Sequence, residues 1–410
     1  MSELLARDDI RESRHRERVN VRTCVELKML RKLFITAMFA IGGVILVASL
    51  GRVGNVANRD FIAYWSAGQL LITGENPYDR SAVLERETPE GLTGHRSISV
   101  RNPPWALWLM LPLGFFSAST AWVLWMTICI GALMLSIRGC WHLYGAGDPG
   151  AKSLCLLSAM AFAPVLACLM AGQLGLLVLA GLVMFLRLEK SHPFWAGVVA
   201  IVPLTKPQIF LPLFLVASVW AIAGRKWRLI LGFVVALCVS IIPILVIDPN
   251  VFRHYYAAVS SDHMSAEFIP SLSGVMRILS FPKLMWVQFL PLAGGLVWVM
   301  CFYRNIEAWD WRTHGLTVLV VCFLVAPYNF LPDEAALLPA FVYAALRINA
   351  RRRWPVLSRA VLLALLMLSA ILLVMTVAAV PITSGLYFWS AFVWAAWYWF
   401  SRSSEGRLAR

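Results

Sequence analysis

At 410 residues, 60% hydrophobic and only 14% charged, with a mean hydropathy of +0.72, the chain is too apolar for a soluble globular protein. Its apolar stretches are continuous runs of about twenty residues rather than ten-residue alternations, which points to helical membrane spans and away from a β-barrel. The net charge of +14 gathers beside those runs, where the positive-inside rule accounts for it without any nucleic-acid partner.

Residues 1–32 form a basic tail carrying Arg7, Arg11, Arg14, Arg16, Arg18, Arg22, Lys28, Arg31 and Lys32. Its position beside the first span, 33–50, places it in the cytoplasm. The tail is long and includes Asp8, Asp9, Glu12 and Glu17, so the span reads as a retained anchor, not a cleaved signal. It delivers Asp60 to the outer face, at the start of an outer loop spanning 52–102. An acid where the chain leaves the membrane can stay ionised while facing a substrate held in lipid. It is equally placed to cap the helix that follows, since Asp is a favoured cap. In that helix Phe61, Trp65, Leu70 and Leu71 alternate with Tyr64, Ser66 and Gln69, a pattern that predicts an interfacial helix with its aromatics towards lipid. Gly74-Glu75-Asn76-Pro77-Tyr78-Asp79 ends it.

The chain re-enters at Asn102-Pro103-Pro104-Trp105, and two apolar pieces follow, 105–116 and 119–137. Keeping the N-terminus and the later basic clusters (Arg187/Lys190, Arg225/Lys226/Arg228, Arg304/Arg312, Arg347/Arg351/Arg352/Arg353 and the tail 402–410) in the cytoplasm requires one net crossing there. Further spans fall at 153–171, 174–187, 193–205, 207–224, 229–247, 284–303, 315–327, 335–346, 356–377 and 382–400. The expected architecture is an all-α polytopic membrane protein of about 12 transmembrane helices, one domain over 33–401 with both termini inside. Cys129, Cys155, Cys168, Cys238, Cys301 and Cys322 sit within the apolar segments and read as small core residues, since no spacing suggests a metal site or disulfide framework.

The polar turns on the same side as Asp60 are Gly172-Gln173, Lys206-Pro207-Gln208, the outer loop 248–283 and Tyr328-Asn329-Phe330-Leu331-Pro332-Asp333-Glu334. Ionisable groups at membrane depth cost on the order of 2.5–3.5 kcal/mol each, so several on one face imply a water-accessible charged cavity. Lys206 interrupts an otherwise apolar stretch. It either snorkels to an interface or meets an anion such as a lipid phosphate. Arg277 is open to phosphate or to lipid headgroups, and Asp333 either orients a substrate or caps the helix beginning at Glu334. His254 and His263, nine apart with no second pair, are weak as metal ligands or bases, and no metal or other cofactor is expected.

The order Asp60, Tyr64, Gly74, Pro77-Tyr78, Pro103-Pro104, Pro112-Leu113, Gly172-Gln173, Lys206-Pro207, Ser271-Leu272-Ser273, Arg277, Pro327 and Asp333 resembles glycosyltransferase family 87. Asn102 and Pro270 depart from its pattern, which bears on the acceptor and the sugar. The resemblance implies a GT-C fold with interfacial helices in the first outer loop, and a polyprenyl-phosphate sugar donor such as a mannosyl lipid. It implies a lipid or glycan acceptor of the cell envelope, and Asp60 as catalytic base. Lys206 and Arg277 become candidates for the donor phosphate, and Tyr64, Tyr78, Gln173, Gln208, His263 and Asp333 for substrate contacts. The competing reading is a transporter or flippase of a lipid-linked glycan, for which an inverted internal repeat would be expected; none is visible. An inactive scaffold of the same fold is a third.

Overall fold

The chain divides into units Met1–Leu50 and Gly51–Arg410. The computed structural model describes residues 60–402 other than 93–96, 149, 262–267, 282, 351–354, 379 and 382. The basic tail, the first span, His263 and the residues after Arg402 therefore lie outside the described residues.

Sixteen α-helices follow one another, with no strand among the described residues. The first, α1, covers Asp60–Ile72 and α2 covers Arg80–Glu87. Two 3-10 turns, Pro104–Leu109 and Leu111–Phe115, lead into α3, Ala118–Tyr144. Then come α4 (Ala151–Ala161), α5 (Ala163–Ala171), α6 (Gly175–Leu188), α7 (Pro193–Val199), α8 (Pro207–Ala223) and α9 (Trp227–Ile247). The next two helices are α10 (Val251–Ser261) and α11 (Leu272–Ser280). The chain finishes with α12 (Leu290–Arg304), α13 (His314–Val325), α14 (Leu338–Ala350), α15 (Pro355–Val377) and α16 (Ser390–Arg402).

Three helical stretches among the described residues are long and apolar enough to cross a membrane: α3, α9 and Met285–Arg304. The pair α4 and α5, bent by 56° at Phe162, is a fourth if counted as one broken span. The single long α3 fits one crossing between Pro103 and Ile137, with the preceding apolar piece folded into 3-10 turns and Ser117 capping α3 through Thr120 N. The shorter apolar helices α6, α8 and α13 begin or end at the polar turns that build the site.

Two expectations are corrected. The aromatic residues of α1 do not face lipid: Phe61, Tyr64, Trp65, Leu70 and Leu71 are all buried. The helix is apolar around its whole circumference, and such a helix belongs inside a protein. It packs on the 3-10 turn Leu111–Phe115, where a Cβ on Gly68 would collide with the carbonyl oxygen of Met110 and one on Gly114 with the backbone of Gly68. Only two glycines let these backbones touch. Trp65 Nε1 donates to Phe116 O at 2.9 Å, fastening the same contact. Likewise Cys238 and Cys301 are exposed and not in the core, whereas Cys129, Cys140, Cys155, Cys168 and Cys322 are buried. Cys238 sits on α9, most of whose apolar residues point outward.

Candidate active site

Four turns deliver the polar residues. Asp60 is the first residue of α1, and the burial of Phe61 against Trp122 and Trp125 fixes where that first turn points. Gln173 follows Gly172, which ends α5 with φ 66°, a left-handed conformation suited to glycine. A side chain on Gly172 would also run into Trp122 and Phe61. The Gly172 carbonyl accepts from Trp125 Nε1 at 2.7 Å, and the Gln173 amide donates to Cys168 O at 3.1 Å. Lys206 lies just before α8, where Pro207 occupies the first helical position. Proline disfavours helical geometry in the residue before it, and Lys206 accordingly adopts φ −129° and ψ 63°, turning away from the helix. Asp333 opens a 3-10 turn, Asp333–Leu337.

These side chains form one continuous chain. Gln173 Nε2 donates to Asp60 Oδ2, and its Oε1 accepts from Lys206 Nζ at 3.2 Å. Lys206 Nζ pairs with Asp333 Oδ1, and Asp333 Oδ2 accepts from Phe330 N at 2.9 Å. A single glutamine thus links Asp60 to a lysine–aspartate pair. The lysine and Asp333 are nearly buried, with side-chain exposures of 12% and 7%. Asp333 does not cap a helix as one reading allowed; its carboxylate is taken up by Lys206 and the Phe330 amide.

Two donor and acceptor positions remain open. Asp60 Oδ1 meets no donor, and the third N–H of Lys206 meets no acceptor, among the described residues. Burial lifts the Asp60 carboxyl above its ordinary value, and the charge of Asp333 adds to this. The Gln173 hydrogen bond and the positive charges of Lys206 and Arg101 oppose it. Arg101 is a site residue that the sequence reading passed over.

A second set of bonds holds the entrance. Asn102 Nδ2 donates to Thr205 O at 3.0 Å and Trp105 Nε1 to Leu204 O at 2.9 Å, clasping the membrane re-entry to the Lys206 turn. Tyr78 OH donates to Asn102 O at 2.8 Å, and its ring rests on Tyr255 of α10. Tyr78 therefore supports the clasp and is not part of the Asp60 chain. Tyr64 is buried one turn beyond Asp60 and packs on Trp125. Gln208 is half-buried in the first turn of α8. Arg277 is fully buried on α11, whose packing is mainly against Met285–Phe289 and α12. His254 is held by Asp248 at 2.8 Å. No group of three or more His, Cys, Asp or Glu able to hold a metal occurs among the described residues.

Curated proteins and solved structures return no match to the chain. The model of glycosyltransferase family 87 matches residues 101–327. That stretch contains Arg101, Gln173, Lys206 and Arg277, while Asp60 and Asp333 flank it. Spanning more than half of the chain, the match identifies this all-helical membrane protein as a member of glycosyltransferase family 87.

Proposed function

We propose that the chain is an inverting glycosyltransferase that moves a mannose-like hexose from a polyprenyl-phosphate donor to a lipid-linked or envelope glycan acceptor. It would act as a multi-pass protein at the outer face of a bacterial inner membrane. The observation that carries this reading is the chain Asp60, Gln173, Lys206, Asp333, which links a carboxylate with one oxygen unengaged among the described residues to a cation in one polar site.

In the proposed reaction the acceptor hydroxyl gives its proton to Asp60 Oδ1 while its oxygen attacks the anomeric carbon. The bond from that carbon to the phosphate oxygen breaks, and its electron pair leaves with the phosphate. A polyprenyl phosphate departs already ionised, so the group it needs is a fixed positive charge, not a strong acid. Lys206 supplies this through its open N–H, and Arg277 is the second cation we assign to the donor. Asp333, itself held by Phe330 N, keeps Lys206 oriented. With a single base, in-line attack and no covalent intermediate, the anomeric configuration inverts.

Asp60→Asn keeps the hydrogen-bonding outline and removes the base. Transfer of radiolabelled hexose from a polyprenyl-phosphate donor in proteoliposomes is expected to fall by about 10²–10⁴-fold at unchanged protein yield. Full activity in that variant would remove Asp60 from the chemistry. The transporter reading makes a different forecast, movement of a lipid-linked glycan across the bilayer without sugar transfer.

A further inference from the structure

Asp333 and Glu334 are adjacent acids at the head of one 3-10 turn, but they serve different neighbours. At about three residues per turn, consecutive side chains diverge by roughly a third of a circle. Asp333 turns to Lys206. Glu334 turns to the last helix: its Oε1 accepts from Ser390 Oγ at 2.7 Å and its Oε2 from Trp394 Nε1 at 2.8 Å. Glu334 is only 2% exposed and the last helix occupies both of its oxygens, leaving none for a substrate. A carboxylate is costly to bury, and both of its oxygens are engaged. Ser390 and Trp394 lie beyond the stretch that the family model matches.

Trp394 makes a second connection. Its ring packs edge-on against Phe162 at 4.9 Å and against Phe341 at 5.8 Å. Phe162 is the break between α4 and α5, and α5 ends at Gly172-Gln173. Ser369 of α15 stiffens that break, accepting from Ala163 N at 2.8 Å while donating to Ala161 O. One tryptophan therefore touches the roots of both turns that hold Lys206, the one carrying Asp333 and the one carrying Gln173. The two turns also meet directly, since a Cβ on Gly175 would approach Pro332 O to 2.8 Å.

We propose that Glu334 is a positioning residue for the active site: clamped by Ser390 and Trp394, it aims Asp333 so that Lys206 is held ready for the donor phosphate. The C-terminal helix thereby sets donor affinity without contacting substrate. The consequence for the donor rests on the function proposed above, whereas the effect on Lys206 does not.

The test uses the full-length protein in nanodiscs and three variants. The rate of amine acylation at Lys206, followed by peptide mass spectrometry, reports the environment of the lysine whatever the donor is. Donor KM and kcat are measured separately, with the thermal midpoint as a check on folding. Glu334→Leu breaks both clamping bonds, and Lys206 acylation is expected to quicken about tenfold, with a similar rise in donor KM and kcat within about twofold. Glu334→Gln can accept from Trp394 Nε1–H and donate to Ser390 Oγ, so it is expected to stay within about twofold of wild type. Trp394→Phe keeps the ring packing and loses one bond; it decides the matter if Glu334→Leu does not fold, with acylation rising about threefold. Wild-type reactivity of Lys206 in a folded Glu334→Leu or Trp394→Phe protein overturns the proposal, as does a Glu334→Gln protein as impaired as Glu334→Leu. If Lys206 reactivity shifts as expected but no variant, nor wild type, transfers sugar from a polyprenyl phosphate, the positioning role stands and the proposed donor falls.

Discussion

Helices α1 and α9 are both almost wholly apolar, and the fold uses them in opposite ways. In α1 ten of thirteen residues are buried, from Phe61 to Leu71. In α9 only Leu229, Gly232, Ser240 and Ile244 of twenty-one are buried, while Val239, Ile242 and Val246 stand outward. Hydropathy treats lipid and protein interior as one solvent, so it cannot separate the two cases. What separates them is fit. α1 meets a backbone across Gly68 and Gly114 and packs Phe61 against two tryptophans, whereas Val239, Ile242 and Val246 on the outward side of α9 are exposed. Precision at α1 matters because Asp60 is its first residue.

The sharpest way to break this contrast is Gly68→Val. The new side chain would strike the Met110 carbonyl, and the overpacking is expected to cost about 3 kcal/mol or more. The measurable result is loss of monodisperse protein on size exclusion after detergent extraction.

Next in size is Glu87, in the same outer layer. It is buried, with Oε2 accepting from Ile98 N at 2.9 Å, and burial pushes its carboxyl from 4.5 up to about 7. A carboxyl raised on folding stabilises most when protonated: the contribution is full below pH 4.5 and is lost as pH rises through about 7. The thermal midpoint of wild type should therefore fall between about pH 5 and 8, by an amount worth about 3 kcal/mol, and Glu87→Gln should flatten that slope.

A smaller effect is expected at Gln173, whose hydrogen bond lowers the raised Asp60 carboxyl. In the proposed reaction Asp60 must be ionised, so activity is expected to decline as pH falls through its value. Gln173→Leu should move the acid limb of kcat/KM upward. The smallest is Val246→Ala on α9. Val246 is 77% exposed, and its truncation should change the thermal midpoint by the equivalent of no more than about 0.5 kcal/mol.

The positions of several apolar helices were readable from the sequence because prolines, glycines and basic residues interrupt the apolar runs. The 174–187 run became α6 at Gly175–Leu188, and 207–224 became α8 at Pro207–Ala223. That the polar turns carrying Gln173, Lys206 and Asp333 come together was also readable, because each interrupts an apolar run. Their partners were not. Lys206 and Asp333 are 127 positions apart, and no local pattern encodes a pairing set by how α5, α6 and α8 pack. Arg101 escaped notice because an arginine at a membrane edge is ordinary; only its closeness to Asp60 distinguishes it. The outward reading of Phe61 and Trp65 failed for the reason α1 and α9 differ: an aromatic stripe shows affinity for an apolar surface, not which surface.

The four-residue chain also has a consequence for biosynthesis. Its members enter the membrane in order, and the ribosome has made more than three quarters of the polypeptide before Asp333 exists to meet Lys206. Until then the nascent protein holds a lysine, nearly buried in the finished fold, without its carboxylate, a condition that quality-control proteases and chaperones can sense. Synthesis halted before residue 333 should leave an intermediate more open to degradation than one halted after α16. The bond that orients the site would then double as the signal that the enzyme is finished.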